Sequence, residues 1–161
     1  MAWSRLKSRW RTLVAPSVSR RVDVHMAGYR KAYLGRGRAW LTVDGVEIAS
    51  FCELSFEHAW RAEGRRERPE GWPFSNSAHD RIRAAGMLDK ADLLNAMGAC
   101  IGSSIEEQIT SADPLVRALA MLDRRLGKRR LARINPATEH PLVVRLHALR
   151  CEAVAVVPCT G

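Results

Sequence analysis

The sequence predicts an α+β fold: an N-terminal helix, a three-stranded antiparallel sheet, then a mostly helical C-terminal two-thirds. Three observations carry that expectation. Residues 2–15 repeat apolar side chains at helical spacing, and residues 20–52 hold alternating runs around an Asp-Gly turn. From residue 55 onward the apolar residues recur every three or four positions. Strands followed by helices, rather than alternating with them, imply an antiparallel sheet covered on one side. At 161 residues the expectation is a single domain, 1–161.

Trp3, Leu6, Trp10 and Leu13 form one stripe, with Arg5, Lys7, Arg9 and Arg11 off it, and Pro16 stops the helix. A basic helix with tryptophans fits a membrane interface or a partner groove. The simpler reading is that the stripe packs on its own domain. An organelle presequence has a similar composition, but nothing resembling a cleavage site follows.

Residues 21–29 alternate, with Val22, Val24 and Met26 on one side and Arg21, Asp23 and His25 on the other. Two further runs, 39–43 and 46–50, flank Asp44-Gly45, a pair that tolerates the positive φ of a two-residue hairpin turn. That loop length sets a register of Val43 opposite Val46, Thr42 opposite Glu47 and Leu41 opposite Ile48, with Trp40 and Ala49 paired on the other face.

Ser55 is placed to cap a helix that carries Phe56 and Trp60. Residues 64–76, with two prolines and two glycines, read as a long exposed loop whose Trp72 and Phe74 fold back on the body or meet a partner. Helices are expected near 78–85 and 90–100, the second capped by Asp89, and Ser103 with Glu106 reads as a capping box.

Residues 113–134 are the most determined local stretch. Asp113 caps, Pro114 suits the first turn, and Leu115, Leu119, Leu122 and Leu126 make a seam. Gly127 suits a left-handed helix end, and a second short helix restarts through Leu131 and Ile134. Pro141 opens the last helix, and residues 154–161 are expected to fray.

Net charge is +9, and it is unevenly placed. Residues 1–38 hold ten basic residues against Asp23 alone, so 10 − 1 = +9, whereas residues 39–161 hold 16 of each sign and sum to zero. A second dense run is Arg124, Arg125, Lys128, Arg129, Arg130 and Arg133. Such surfaces attract acidic proteins, nucleic acids or anionic membranes; a solvated basic face without a partner is the plain alternative. The arginine bias, 22 of 26 basic residues, also fits a GC-rich genome.

No phosphate-binding glycine loop, zinc-protease helix or nucleophile elbow is present. Cys52, Cys100, Cys151 and Cys159 lack C-x-x-C spacing and read as free thiols of a reducing compartment. His147 and Cys151 lie four apart, but a metal needs two further ligands. Asp123 with His140 would suit acid–base work. The simpler reading makes Asp123 structural, paired with a nearby arginine, and Glu139 or Glu152 offer further partners to the arginines. No apolar run is long enough to cross a membrane and no secretory signal is evident, so a cytoplasmic location is expected.

Trp-Ser-Arg-Leu-Lys at 3–7, the Val-Asp-Val-His strand with Tyr29-Arg30, the hairpin at 40–52, Asp-Arg-Arg-Leu-Gly-Lys-Arg-Arg-Leu at 123–131 and the Glu-His-Pro-Leu-Val…Leu-Arg-Cys-Glu-Ala ending resemble a family of small uncharacterised bacterial proteins. The resemblance spans most of the chain except about 63–85. It implies a compact bacterial domain and transfers no functional residue.

The functional expectation is a non-catalytic interaction protein for an acidic macromolecular surface, of the immunity or antitoxin kind. It uses Arg5, Arg9, Arg124, Arg125, Lys128, Arg129 and Arg130 toward the partner, and Asp123, Gly127, Asp44 and Gly45 as structural residues. Alternatives are a nucleic-acid-binding protein using the same basic regions and an enzyme without a local motif. No cofactor is implied.

Overall fold

The computed structural model describes residues 2–29 and 36–155. The predicted order is present. Helix α1 (Trp3–Leu13) precedes an antiparallel sheet of β1 (Val22–Gly28), β2 (Gly37–Val43) and β3 (Val46–Cys52), in the order β1-β2-β3. Seven further helices complete the described residues, beginning with α2 (Glu53–Glu67), α3 (Asn76–Ala84) and α4 (Lys90–Gly102). The remainder are α5 (Ile105–Ile109), α6 (Pro114–Met121), α7 (Lys128–Arg133) and α8 (Pro141–Val154).

One hydrophobic cluster joins α1, the sheet, α4, α6 and α8. The α1 stripe lies in it: Leu6 and Trp10 are buried, and Trp3 and Leu13 pack at its edge. This is the stripe docked on its own chain. Burying such side chains contributes about 1.5–3 kcal/mol each. The α2–α3 pair stands apart, since Phe56, Ala78 and Ile82 are buried there but outside the main cluster.

The hairpin forms at Asp44-Gly45, with φ of 51° and 80°. Its register departs from the expected one after two pairs. Val43 faces Val46 and Thr42 faces Glu47, but a bulge then shifts Leu41 onto Ala49, Trp40 onto Ser50 and Ala39 onto Phe51. The reason is parity. Val46 and Phe51 are an odd number of residues apart, so one extra residue is needed to put Phe51 on the face of Ala39 and Leu41. All three are buried.

Several helix ends also differ from expectation. Helix α2 starts at Glu53 with Cys52 before it, not at Ser55, and runs on through Gly64. The expected 64–76 loop therefore shrinks to residues 68–75. A Cβ on Gly64 would lie 1.6 Å from the Pro73 carbonyl oxygen, so the connection returns tightly across the helix. Phe74 packs on Trp60 at 4.9 Å between ring centres, whereas Trp72 stands 73% exposed rather than anchored on the body. Asp89 caps α4 in a reciprocal box with Asp92. The next box is Ser104 with Glu107, one residue beyond the expected pair.

Helix α6 is capped by Asp113 as expected but ends at Met121, so Leu122 and Leu126 reach the core from a turn. Gly127 is not left-handed. With φ −70° and ψ 156° it is extended and precedes α7 as its cap position. The expected tail falls, from residue 156 onward, outside the described residues. Among the described residues no helix is long and apolar enough to cross a membrane.

Candidate functional site

The turn at 122–127 builds the site. After Met121 the chain leaves the helix and pairs with the end of α1. The Ala15 N–H donates to the Leu122 carbonyl at 2.8 Å, the Arg124 N–H donates to the Leu13 carbonyl at 2.7 Å, and Val14 bridges Asp123. Asp123 is buried at 3% exposure. Its carboxylate accepts the Arg125 amide at 2.8 Å and the Arg125 guanidinium at 2.7 Å. The same guanidinium donates to the carbonyls of Ser103 (2.9 Å) and Cys100 (3.0 Å), which close the end of α4. The hydrogen bond with Asp123 pushes the Arg125 pKa further up. Arg125 therefore clamps α4 to the turn.

Helix α7 rides on the body through Leu131, whose side chain is buried and whose carbonyl accepts the His147 Nε2–H at 3.0 Å. Its cations surround that anchor. Arg125, Gly127, Lys128, Arg129, Arg130 and Arg133 line a surface depression of about 570 Å³. Every lining residue but the glycine is basic, with no ring to stack a base and no nucleophile. Arg130 is held by Glu106 at 2.6 Å, and that carboxylate stays 61% exposed at the rim. Among the described residues no carboxylate lies within ion-pair distance of Arg124, Lys128, Arg129 or Arg133, all exposed.

The N-terminal excess divides in two. On one flank of α1, Lys7 (2.8 Å) and Arg11 (3.8 Å) converge on Asp23 of β1. Arg21 holds Asp44 and Glu152, Arg36 holds Glu57 and Arg38 holds Glu47. Arg5 and Arg9, on the other flank, are exposed and have no carboxylate at ion-pair distance among the described residues. They share an i, i+4, i+8 row with Leu13, whose carbonyl receives the Arg124 amide. At 1.5 Å rise per residue, Arg9 starts about 6 Å and Arg5 about 12 Å along the axis from that junction. Arg30 and Lys31 lie outside the described residues.

The suggested acidic partners for the 124–133 cations are engaged elsewhere: Glu139 pairs with Arg117 at 2.8 Å and Glu152 with Arg21 at 2.9 Å. His140 accepts the Leu142 N–H as the cap of α8, while Asp123 serves Arg125. His147 and Cys151 touch at 3.7 Å. Among the described residues no three His, Cys, Asp or Glu side chains converge on a metal-sized site. Sequence spacing found the cations but not their division into tied and untied ones. The rim carboxylate of Glu106 joins the site only through the fold.

No curated protein and no solved structure matches the chain. A family model described as the SF0329 protein family matches residues 2–151, from the start of α1 to the last turns of α8. The match covers the sheet, the clamped turn and the basic depression alike, and on that extent the chain belongs to the SF0329 protein family, an uncharacterised one.

Proposed function

We propose that this protein is a non-catalytic interaction protein that docks on an acidic protein surface, in the manner of a bacterial immunity or antitoxin protein. The observation that carries the reading is a group of exposed cations with no carboxylate at ion-pair distance among the described residues: Arg124, Lys128, Arg129 and Arg133 around the depression, and Arg5 and Arg9 on α1. Guanidinium forks match carboxylates bidentately, and complementary charge accelerates encounter. The Glu106 carboxylate at the rim suits a mixed-charge protein surface and would repel a phosphate backbone passing that edge.

Nucleic-acid binding is the second reading, favoured by one observation: the Arg124–Leu13 hydrogen bond ties the basic 124–133 run to the end of the helix that carries Arg5 and Arg9. It predicts that the logarithm of affinity falls with the logarithm of salt at about −0.9 per neutralised phosphate, with about 4–6 phosphates involved. Arg124, Lys128 and Arg129 are the residues to neutralise, since removing Arg125 would also unclamp α4.

The experiment is affinity capture by the tagged protein from its own cells at low ionic strength, with and without nuclease, followed by mass spectrometry. A stoichiometric acidic protein retained through nuclease treatment is the expected result. Recovery of nucleic acid alone, lost on nuclease treatment, overturns the proposal.

A further inference from the structure

A second concavity lies on the α2–α3 side, and its chemistry is unlike that of the basic depression. Phe56 and Trp60 of α2, Trp72 and Phe74 of the 68–75 connection, His79 of α3 and Asp89 before α4 line about 440 Å³, together with Glu53, Glu57 and the Arg36 that Glu57 pairs. The rings follow one another as a curved wall. Trp72 meets Phe74 at 5.5 Å and 61°, Phe74 meets Trp60 at 4.9 Å and 72°, and Trp60 meets His79 at 5.0 Å and 70°. The Trp60 indole N–H donates to the Ser75 carbonyl at 2.7 Å, which fixes that ring against the connection. Trp72 is a large apolar side chain left in solvent at the rim.

The carboxylates around this wall are not equivalent. Glu53 is satisfied by the Gly37 N–H at 2.6 Å and by Lys90 at 2.9 Å. Glu57 is satisfied by Arg36 at 2.6 Å and Arg61 at 3.2 Å. Asp89 accepts the Asp92 N–H as the α4 cap, and no cation lies within ion-pair distance of it among the described residues. Burial pushes its pKa up, as expected of a carboxylate losing water without gaining a counter-charge.

Aromatic faces carry negative charge density and attract cations, most strongly soft and weakly hydrated ones. This wall already holds one: the Arg61 guanidinium lies 5.5 Å from the centre of the Phe74 ring. A hard metal ion would need a cage of oxygens, which these rings do not provide. An alkylated ammonium group needs an aromatic wall and a distant counter-charge, and it gives up little hydration on entry. We propose that this pocket binds an alkylated ammonium group, carried either by a small quaternary ammonium compound or by a methylated lysine side chain.

The test uses choline, its neutral isostere 3,3-dimethylbutan-1-ol, and two peptides differing only in a trimethylated or unmodified lysine. Binding is followed by the indole N–H signals of Trp60 and Trp72 at constant ionic strength. Choline is expected to shift both signals saturably and to bind at least tenfold tighter than the alcohol, a ratio equal to about 1.4 kcal/mol. Trp72→Ala, at an exposed position, and Asp89→Asn, which keeps a capping side chain, should each weaken choline binding while leaving the fold intact. A trimethyl-lysine peptide that outbinds both choline and its unmodified twin assigns the ligand to a protein side chain, and the reverse order assigns it to a small molecule. The proposal is overturned if neither cation gives a saturable shift, if the alcohol binds as well as choline, or if both variants bind as the wild type does.

Discussion

Replacing Asp123 with alanine should destabilise the protein by about 3 kcal/mol, through a buried charge pair that loses one partner. The magnitude follows from what the carboxylate does. It accepts the Arg125 amide at 2.8 Å and three guanidinium contacts at 3.1, 3.2 and 2.7 Å. Hydrogen bonds to charged groups are worth about 1.5–3 kcal/mol, and a donor stranded without a partner costs about 1–3 kcal/mol more. Breaking a fully buried pair costs about 3–5 kcal/mol. The Asp123 side chain is buried but that of Arg125 is 36% exposed, so water can recover part of the guanidinium and the low end applies. Thermal unfolding reads this as a fall of about 6–12 °C, at about 2–4 °C per kcal/mol for a domain of this size. Asp123→Asn keeps an oxygen for the Arg125 amide and should lose about half as much. A double-mutant cycle with Arg125→Met isolates the pair, and a coupling well above about 0.5 kcal/mol is expected for residues in contact. An Asp123→Ala protein that melts with the wild type would refute the clamp.

Gly64→Ala should undock the 68–75 connection, because the new Cβ meets the Pro73 carbonyl at 1.6 Å. Overpacking of this kind costs about 1–3 kcal/mol, and faster tryptic cleavage at Arg65 and Arg66 checks it; unchanged cleavage contradicts it. Cys52 should alkylate before Cys100 and Cys151 in peptide mapping at neutral pH. Partial burial pushes the Cys52 thiol up, but hydrogen bonds from Ser55, Tyr29 and the Leu54 amide outweigh it and leave the pKa lowered. Burial raises Cys151 and pushes Cys100 up to about 12. Arg150 is buried, bonds the Ser17 hydroxyl through one nitrogen and, among the described residues, leaves Nε without a partner. Arg150→Met should therefore be neutral or stabilising by up to about 1–4 kcal/mol in chemical denaturation, and a large loss would contradict that.

What was legible in the sequence was local. Asp44-Gly45 announces its hairpin because positive φ at both positions is a property of two adjacent residues. Asp113-Pro114 and Asp89 announce helix starts for the same reason. The features that were missed depend on distant partners. The α6 helix stops five residues before Leu126 because Asp123 and Arg124 pair with the end of α1, more than a hundred residues earlier. The bulge opposite Leu41 exists because Phe51 must reach the core face. In the candidate site, the run at 124–133 was visible as charge. Its division into a clamp (Arg125), an ion pair (Arg130) and untied cations was not, since Cys100, Ser103 and Glu106 lie on other elements. The aromatic wall was equally hidden, because Phe56, Trp60, Trp72, Phe74 and His79 come together only when the connection folds back across Gly64.

The central claim is that the untied cations, rather than net charge, hold an acidic partner. Affinity capture with two charge-matched variants tests it most directly. One carries Arg124→Gln, Lys128→Gln, Arg129→Gln and Arg133→Gln; the other carries Arg20→Gln, Arg61→Gln, Arg68→Gln and Arg145→Gln, all exposed and outside the depression. Each loses the same formal charge. The account predicts that the first variant loses the partner that the wild type retains at low salt, while the second keeps it. Equal retention by both variants, or equal loss by both, would contradict it.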